Sequence, residues 1–313
     1  MKNPENKNFT KKIYNEASSA IITIECLNDD STLQGVGTGF IIDTNNFILT
    51  AWHVVKEAKK IWVYEKDRDS PWEANLRGHD DLLDIALLEP KTQFKNKAFL
   101  VLGDSDKLER GDLVWAMGSP LMLKNTITQG RIINKDVSTK SMTCLKAILS
   151  DAIFNTGSSG GPLLNAKNEV VGINTQVIGS ENKDGKYAVY NMYISVPINS
   201  VKKVLSRLNF RGKIKHFDIG ALLINTWEYS DTEYEKLKIK RPKHNGPMIL
   251  EINSGSCAEN AGLLLGDVIK FVGKVEVKNY LEVFETLQLE YEVGDEVQIT
   301  IIREDEYIIK ILK

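Results

Sequence analysis

Asn155-Thr156-Gly157-Ser158-Ser159-Gly160-Gly161-Pro162 is the stretch on which the reading of this chain turns. Glycine is used where backbone must turn at positive φ or approach another group closely. Here Gly157 stands two residues before Ser159, with Gly160 and Gly161 just behind it. Such a loop can present one hydroxyl outward while the N–H groups of Gly157 and Ser159 converge on a point, the geometry of an oxyanion hole beside a serine nucleophile. A Gly-Ser surface turn has the same composition. The choice between the two depends on a base and an orienting carboxylate elsewhere in the chain.

His53 is the candidate base. It ends the strand-like run Phe47-Ile48-Leu49-Thr50-Ala51-Trp52, whereas His79, His216 and His244 lie in polar stretches. Asp84 is the candidate carboxylate, an acid inside the apolar run Leu82-Leu83-Asp84-Ile85-Ala86-Leu87-Leu88. A buried carboxylate is costly without a partner, and an imidazole N–H supplies one while setting the tautomer that leaves the other nitrogen free for a serine proton. Each residue alone has a structural reading, but the chain order His53, Asp84, Ser159 is that of the chymotrypsin arrangement.

The surrounding sequence is mainly β. Short β-branched runs at Ala20–Cys26, Gly35–Ile42, Ile61–Tyr64, Ile85–Leu88 and Phe99–Leu102 form one group. Leu113–Met117, Ile127–Ile133, Cys144–Leu149, Val170–Asn174 and Tyr193–Val196 form a second. Two sets of closely spaced strands with almost no helical period predict two small barrels, over about 13–110 and 111–208. Residues 1–12 read as a mobile charged tail, 209–214 as a linker, and 215–313 as a further unit of strands and helices. Asn279 with Glu282 three residues on predicts a capped helix with Leu281, Phe284 and Leu287 inward.

The composition narrows the function further. A formal net charge of −2 gives no support for nucleic-acid binding as the main task, and no apolar run is long enough for a membrane-spanning helix. Cys26, Cys144 and Cys257 are far apart and the histidines show no ligand spacing, so neither a metal nor another cofactor is expected. Unpaired cysteines and a polar N-terminus without a leader lead to an expected cytoplasmic location, with a periplasmic or extracytoplasmic one as the alternative.

Three blocks now carry a resemblance: Thr50-Ala51-Trp52-His53-Val54-Val55, Asp84-Ile85-Ala86-Leu87-Leu88 and Gly157-Ser158-Ser159-Gly160-Gly161-Pro162-Leu163-Leu164-Asn165. They resemble the catalytic blocks of the HtrA/Deg serine proteases, and Gly35–Phe40, Gly118-Ser119-Pro120 and Gly172-Ile173-Asn174-Thr175 agree. Residues Ser254–Leu263 and Leu265–Ile269 are similar to the PDZ domain that follows the protease in that family. The resemblance implies a chymotrypsin-like double β-barrel followed by a PDZ domain, a β-sandwich with helices. It implies a serine endopeptidase acting on unfolded or misfolded proteins and peptides, assembled as a homotrimer through N-terminal apolar residues such as Phe9, Ile13 and Tyr14.

His53, Asp84 and Ser159 would be the catalytic set and Gly157-Ser158-Ser159 the oxyanion hole. Ile153, Phe154, Asn155, Ile194 and Ser195 would frame a specificity pocket suited to small or medium aliphatic residues. Phe217-Asp218-Ile219-Gly220 would form the peptide-binding loop of the PDZ domain, where Asp218 opposes an incoming carboxylate. Two departures stand out: Thr156 and Ser158 replace the family's usual Pro and Asn, which bears on the resting shape of the nucleophile loop. A catalytically silent peptide-binding scaffold or chaperone is the alternative function.

Overall fold

A computed structural model of the chain describes residues 6–66, 70–94, 98–120, 123, 125–137, 145–181, 187–209 and 212–313. Cys144 lies outside these. Two compact units divide the chain, Met1–Ile214 and Lys215–Lys313.

The first unit opens with helix α1 (Asn6–Ala17), so the segment expected to be a mobile tail through residue 12 is helical from Asn6. Its polar outer face hid an inner stripe spaced by four. Phe9 lies 5.4 Å from the ring of Trp115, while Ile13 and Ala17 are buried. The Trp115 indole N–H donates to Thr10 Oγ1 at 2.9 Å, which holds the helix to the barrel it covers.

Six strands follow: β1 (Ile21–Leu27), β2 (Leu33–Ile41), β3 (Ile48–Ala51), β4 (Lys60–Tyr64), β5 (Trp72–Asp80) and β6 (Ile85–Pro90). They close because β5 pairs with both β4 and β6, in the order β5-β4-β1-β2-β3-β6. Between β3 and β4 the chain makes a short helix, α2 (Trp52–Val55), where the sequence suggested that the strand continued.

A second closed barrel comprises β7 (Leu113–Gly118), β8 (Thr126–Val137), β9 (Ala147–Ser150), β10 (Pro162–Leu164), β11 (Val170–Glu181) and β12 (Tyr187–Pro197). Phe99–Leu102, expected as a strand, joins no ladder beyond a single bridge from Leu102 to Val170. It straps the barrels together: Leu100 N–H donates to Ile41 O at 2.9 Å, and Val170 N–H to Val101 O at 2.8 Å. Helix α3 (Ile198–Leu208) buries Ile198, Val201, Val204 and Leu208 along one face. The chain then adds β13 (Gly212–Lys213) parallel to β5 at Gly78 and His79.

The second unit is a sheet in the order β14-β15-β16-β18-β19, with β17 on β16. Its strands are β14 (Ala221–Asn225), β15 (Pro247–Ile252), β16 (Val268–Val272), β17 (Val275–Glu276), β18 (Val297–Arg303) and β19 (Glu306–Leu312). Helices α4 (Asp231–Leu237), α5 (Cys257–Asn260) and α6 (Tyr280–Glu290) accompany it. The Asn279 side chain caps α6 by accepting from Glu282 N–H at 3.0 Å. Of the face expected inward, Leu287 is buried and Phe284 packs against the core while Leu281 is half-buried, and Val283, Thr286 and Leu289 are buried with them.

Candidate active site

The geometry starts from Asp84. A buried Asp80 first shapes the turn before it, its Oδ1 accepting from Leu82 N–H at 2.9 Å and Leu83 N–H at 3.1 Å. The chain then enters Asp84 at φ +53°, a left-handed conformation that costs a non-glycine residue about 1–2 kcal/mol. Bonds to its neighbours hold it there. The Asp84 carbonyl accepts from Trp52 N–H at 3.0 Å, and its Oδ1 accepts from His53 N–H at 2.8 Å. These are the first two amides of α2, which has no capping side chain of its own. One residue in the turn before β6 therefore starts the helix that carries the histidine.

The same carboxylate reaches the imidazole, with Asp84 Oδ2 at 2.6 Å from His53 Nδ1. Oδ2 also accepts from the Thr175 hydroxyl at 2.5 Å, and the Thr175 carbonyl lies 3.4 Å from Ser159 Oγ, which donates to it. His53, Asp84, Thr175 and Ser159 are thus joined into one chain of contacts across the two barrels. No hydrogen bond links His53 Nε2 to Ser159 Oγ among the described residues. His53 is the most exposed of these groups, with 40% of its side chain accessible.

Ser159 sits behind a four-residue turn closed by Ser158 N–H donating to Asn155 O at 2.8 Å. Gly157 occupies the third position at φ +97°, the signature of a type II turn. With Ser158 N–H spent on the turn, it is not a donor for the site. The N–H groups of Gly157 and Ser159 have no acceptor among the described residues, although Gly157 is buried and Ser159 half-buried. Thr156 and Ser158 therefore do not close the loop. An unpaired buried N–H is rare and costly, which makes the Gly157 amide beside the Ser159 hydroxyl a candidate donor for an anion.

Gly160 follows at φ +85°, where a Cβ would fall 2.2 Å from both Thr38 O and Thr50 Oγ1. Only glycine fits.

The residues expected to frame a specificity pocket divide. Ile153 and Asn155 are exposed. Phe154 is buried in the second barrel's core, 5.0 Å from the ring of Tyr193, and Ile194 is also inside. Ser195 is fully buried and donates to Asn174 Oδ1 at 3.0 Å. Phe154 and Ser195 thus serve the barrel's own packing.

In the second unit, Phe217 and Ile219 are core residues and Gly220 stands at φ +66°. Asp218 Oδ1 accepts from Gly220 N–H at 2.8 Å, and β14, which follows, is an edge strand.

Sequence reasoning passed over three contributors. Thr175 and Thr38 lie in quoted blocks, but nothing local marks their side chains. His79 lies in β5 and not in a polar loop, and its ring stacks on Trp52 at 3.7 Å. Burial pushes its pKa below the ordinary 6.5. Among the described residues no group of three or more His, Cys, Asp or Glu side chains is placed to hold a metal ion.

Comparison with known proteins agrees with this architecture. The trypsin-like peptidase domain family matches residues 37–173, and the PDZ domain family matches 230–308. A putative serine protease HhoB of Synechocystis is 32% identical over 283 residues, covering 88% of this chain and 65% of that protein. A probable periplasmic serine endoprotease DegP-like of Pseudomonas putida is 34% identical over 75% of this chain and 47% of its own length. The chain spans about half to two thirds of the curated relatives it matches. In fold, it superposes on the HtrA-type protease AlgW solved with a tripeptide, with a TM-score of 0.79, 23% identity and coverage of 97% and 96% of the two chains.

These relatives overturn the expected cytoplasmic location. Those from Pseudomonas putida and Chlamydia muridarum are named periplasmic, which points to a periplasmic or extracytoplasmic setting. One of the cysteines shows why an unpaired thiol need not mark a reducing compartment. Cys26 is buried, donates to Val54 O at 3.0 Å, and has its pKa pushed up to about 11 by burial. Such a thiol resists oxidation without a reducing compartment.

Proposed function

This chain belongs with the HtrA/DegP serine proteases, a trypsin-like peptidase domain followed by one PDZ domain, and on that premise we propose that it is a serine endopeptidase cleaving unfolded or misfolded proteins. The observation that carries the proposal is the contact chain from His53 through Asp84 and Thr175 to Ser159, beside two amides without acceptors.

In the reaction, Ser159 Oγ rotates away from the Thr175 carbonyl and bonds to the scissile carbonyl carbon. Its proton passes to His53 Nε2. Asp84 holds Nδ1–H, fixing the tautomer and stabilising the imidazolium. The oxygen takes the negative charge between the N–H groups of Gly157 and Ser159. His53 then protonates the leaving amine as the C–N bond breaks. A water repeats the sequence on the acyl-enzyme and releases the acid.

We extend the proposal to cleavage after small or medium aliphatic residues, since Ile153 is exposed beside the turn and the set around it has no acid to receive Lys or Arg. A homotrimer is part of the proposal, although Ile13 is not available for it because it is buried within its own unit. The test is cleavage of an unfolded reporter protein, with product ends sequenced, alongside fluorophosphonate labelling. Ser159→Ala should lose several orders of magnitude, about 10⁶ in comparable triads, and the parent's ends should be aliphatic. Equal cleavage by Ser159→Ala would refute the mechanism; basic ends would refute the specificity.

A further inference from the structure

Thr38, in β2 of the first barrel, is fully buried. Its hydroxyl donates to Gly157 O at 2.6 Å and its N–H donates to Ser159 O at 2.9 Å. The hydroxyl also accepts from Ser119 N–H at 2.9 Å, and its carbonyl accepts from the Thr50 hydroxyl at 2.6 Å. Ser119 is in turn tied to the first barrel, its Oγ 2.7 Å from Thr23 Oγ1. Two of these bonds thus hold the nucleophile loop, and two brace Thr38 against Ser119 and against Thr50 of β3, neither of which belongs to that loop.

The two residues gripped through their carbonyls are the same two whose N–H groups have no acceptor. We infer that Thr38 is a positioning residue for the oxyanion hole, a role that rests on the protease reading above. A residue in a turn can rotate the peptide units on either side of it, and rotation would let a buried amide find an acceptor and close the site. Each held carbonyl lies in the peptide unit that follows an open amide, so Thr38 fixes the units on both sides of the Ser159 N–H and the unit after the Gly157 N–H, and restricts how the open amides turn. The braces on Ser119 and Thr50 keep the pin from following the loop. The strap also bears on the two departures in the loop: a shape secured by Thr38 has less need of Pro or Asn at positions 156 and 158. The nearby glycine is part of the device, because the Thr38 carbonyl occupies the space that a side chain at residue 160 would need.

The test compares Thr38→Val with Thr38→Ser in the full chain. Valine keeps the shape but leaves Gly157 O without its donor. Losing an oxyanion donor outright costs about 10²–10³ in kcat, so loosening the loop through Gly157 alone, with the backbone bond from Thr38 N–H to Ser159 O kept, should cost about 10–100-fold. For Thr38→Val, kcat on a peptide should fall by that factor with KM within threefold of the parent. Affinity for a peptidyl boronic acid, which mimics the tetrahedral state, should fall in parallel. Thr38→Ser, which keeps the hydroxyl, should recover kcat to within about threefold.

A merely structural role would lower the folded fraction and leave the ratio of boronate to substrate affinity unchanged, so an unchanged ratio overturns the inference. So does a kcat equal to the parent's, or a Thr38→Ser variant as slow as Thr38→Val. If Thr38→Val does not fold, Thr38→Cys, a weaker donor of serine shape, takes its place. A parallel fall of kcat and boronate affinity by at least threefold supports the role, and none overturns it. Failure of the protease reading is separate: it would appear as a parent that neither cleaves nor takes a fluorophosphonate on Ser159.

Discussion

Two glycine turns in this molecule handle their amides in opposite ways. In Asn155–Gly160 the N–H groups of Gly157 and Ser159 are left without acceptors, while the carbonyls of the same residues are bound. In Phe217–Gly220 the N–H of Gly220 is taken by the side chain of Asp218, two residues back. The second arrangement is what a turn does when left to itself, since an aspartate satisfies a nearby amide at little entropic cost. The first is not, because leaving a buried donor unpaired costs about 1–3 kcal/mol. A loop keeps such donors open only when a frame outside it forbids the local remedy. The contrast separates a turn with open donors, the proposed oxyanion site, from one whose donor is already filled.

The largest effect expected on the first turn's partners comes from Asp84→Asn. It keeps the size but removes the carboxylate that orients His53, and cleavage should fall by about 10⁴, as in related triads. A loss of less than tenfold in kcat would mean that the 2.6 Å contact does not set the tautomer. Next in size is the effect of Thr38→Val described above.

The second turn should respond with the opposite sign. Asp218→Ala frees the Gly220 amide and removes a like charge, so a peptide with a free C-terminal carboxylate should bind about fivefold more tightly, the worth of roughly 1 kcal/mol for one hydrogen bond. The same peptide with an amidated end should be unaffected. Fluorescence anisotropy distinguishes these outcomes, and an unchanged carboxylate affinity would show that this donor is not a peptide contact.

The smallest effect concerns the base's neighbour. His79 has a lowered pKa, first because burial disfavours its charged form and then through Lys213, while Asp81 and Asp80 oppose the shift. On unfolding, the ring takes up a proton near its ordinary value of 6.5, whereas the folded ring does so only at lower pH. Stability is therefore fully present above about 6.5 and is lost as pH falls through the window below it. His79→Leu should flatten the decline of the urea midpoint between pH 7.5 and 5.5. A midpoint with the same pH slope in parent and variant would remove His79 as its source.

Much of the candidate catalytic set was legible in the chain because each member has a local signature. Asp84 is an acid inside an apolar run, His53 closes a strand-like run, and Ser159 is backed by glycines. The two strand groups were visible through β-branched runs of the right length. The helix at the N-terminus was missed because its apolar positions, Phe9, Ile13 and Ala17, occupy only one in four. Phe154 and Ser195 were assigned to the pocket because closeness in sequence to the nucleophile or to a barrel strand does not say which side chains the barrel's own core takes up. The cysteine count misled on location because a count does not record how deeply a thiol such as Cys26 is buried.

Sequence by itself determined the chemistry on offer: a hydroxyl, an imidazole and a carboxylate in a telling order, on a mainly β chain with a PDZ unit after it. Tertiary structure alone decided that the amides of Gly157 and Ser159 stay open. Their carbonyls are held by Thr38, which is 119 residues from Gly157 along the chain. An unpaired donor is a property of everything around it, and no local pattern of residues can record that every alternative acceptor has been placed out of reach.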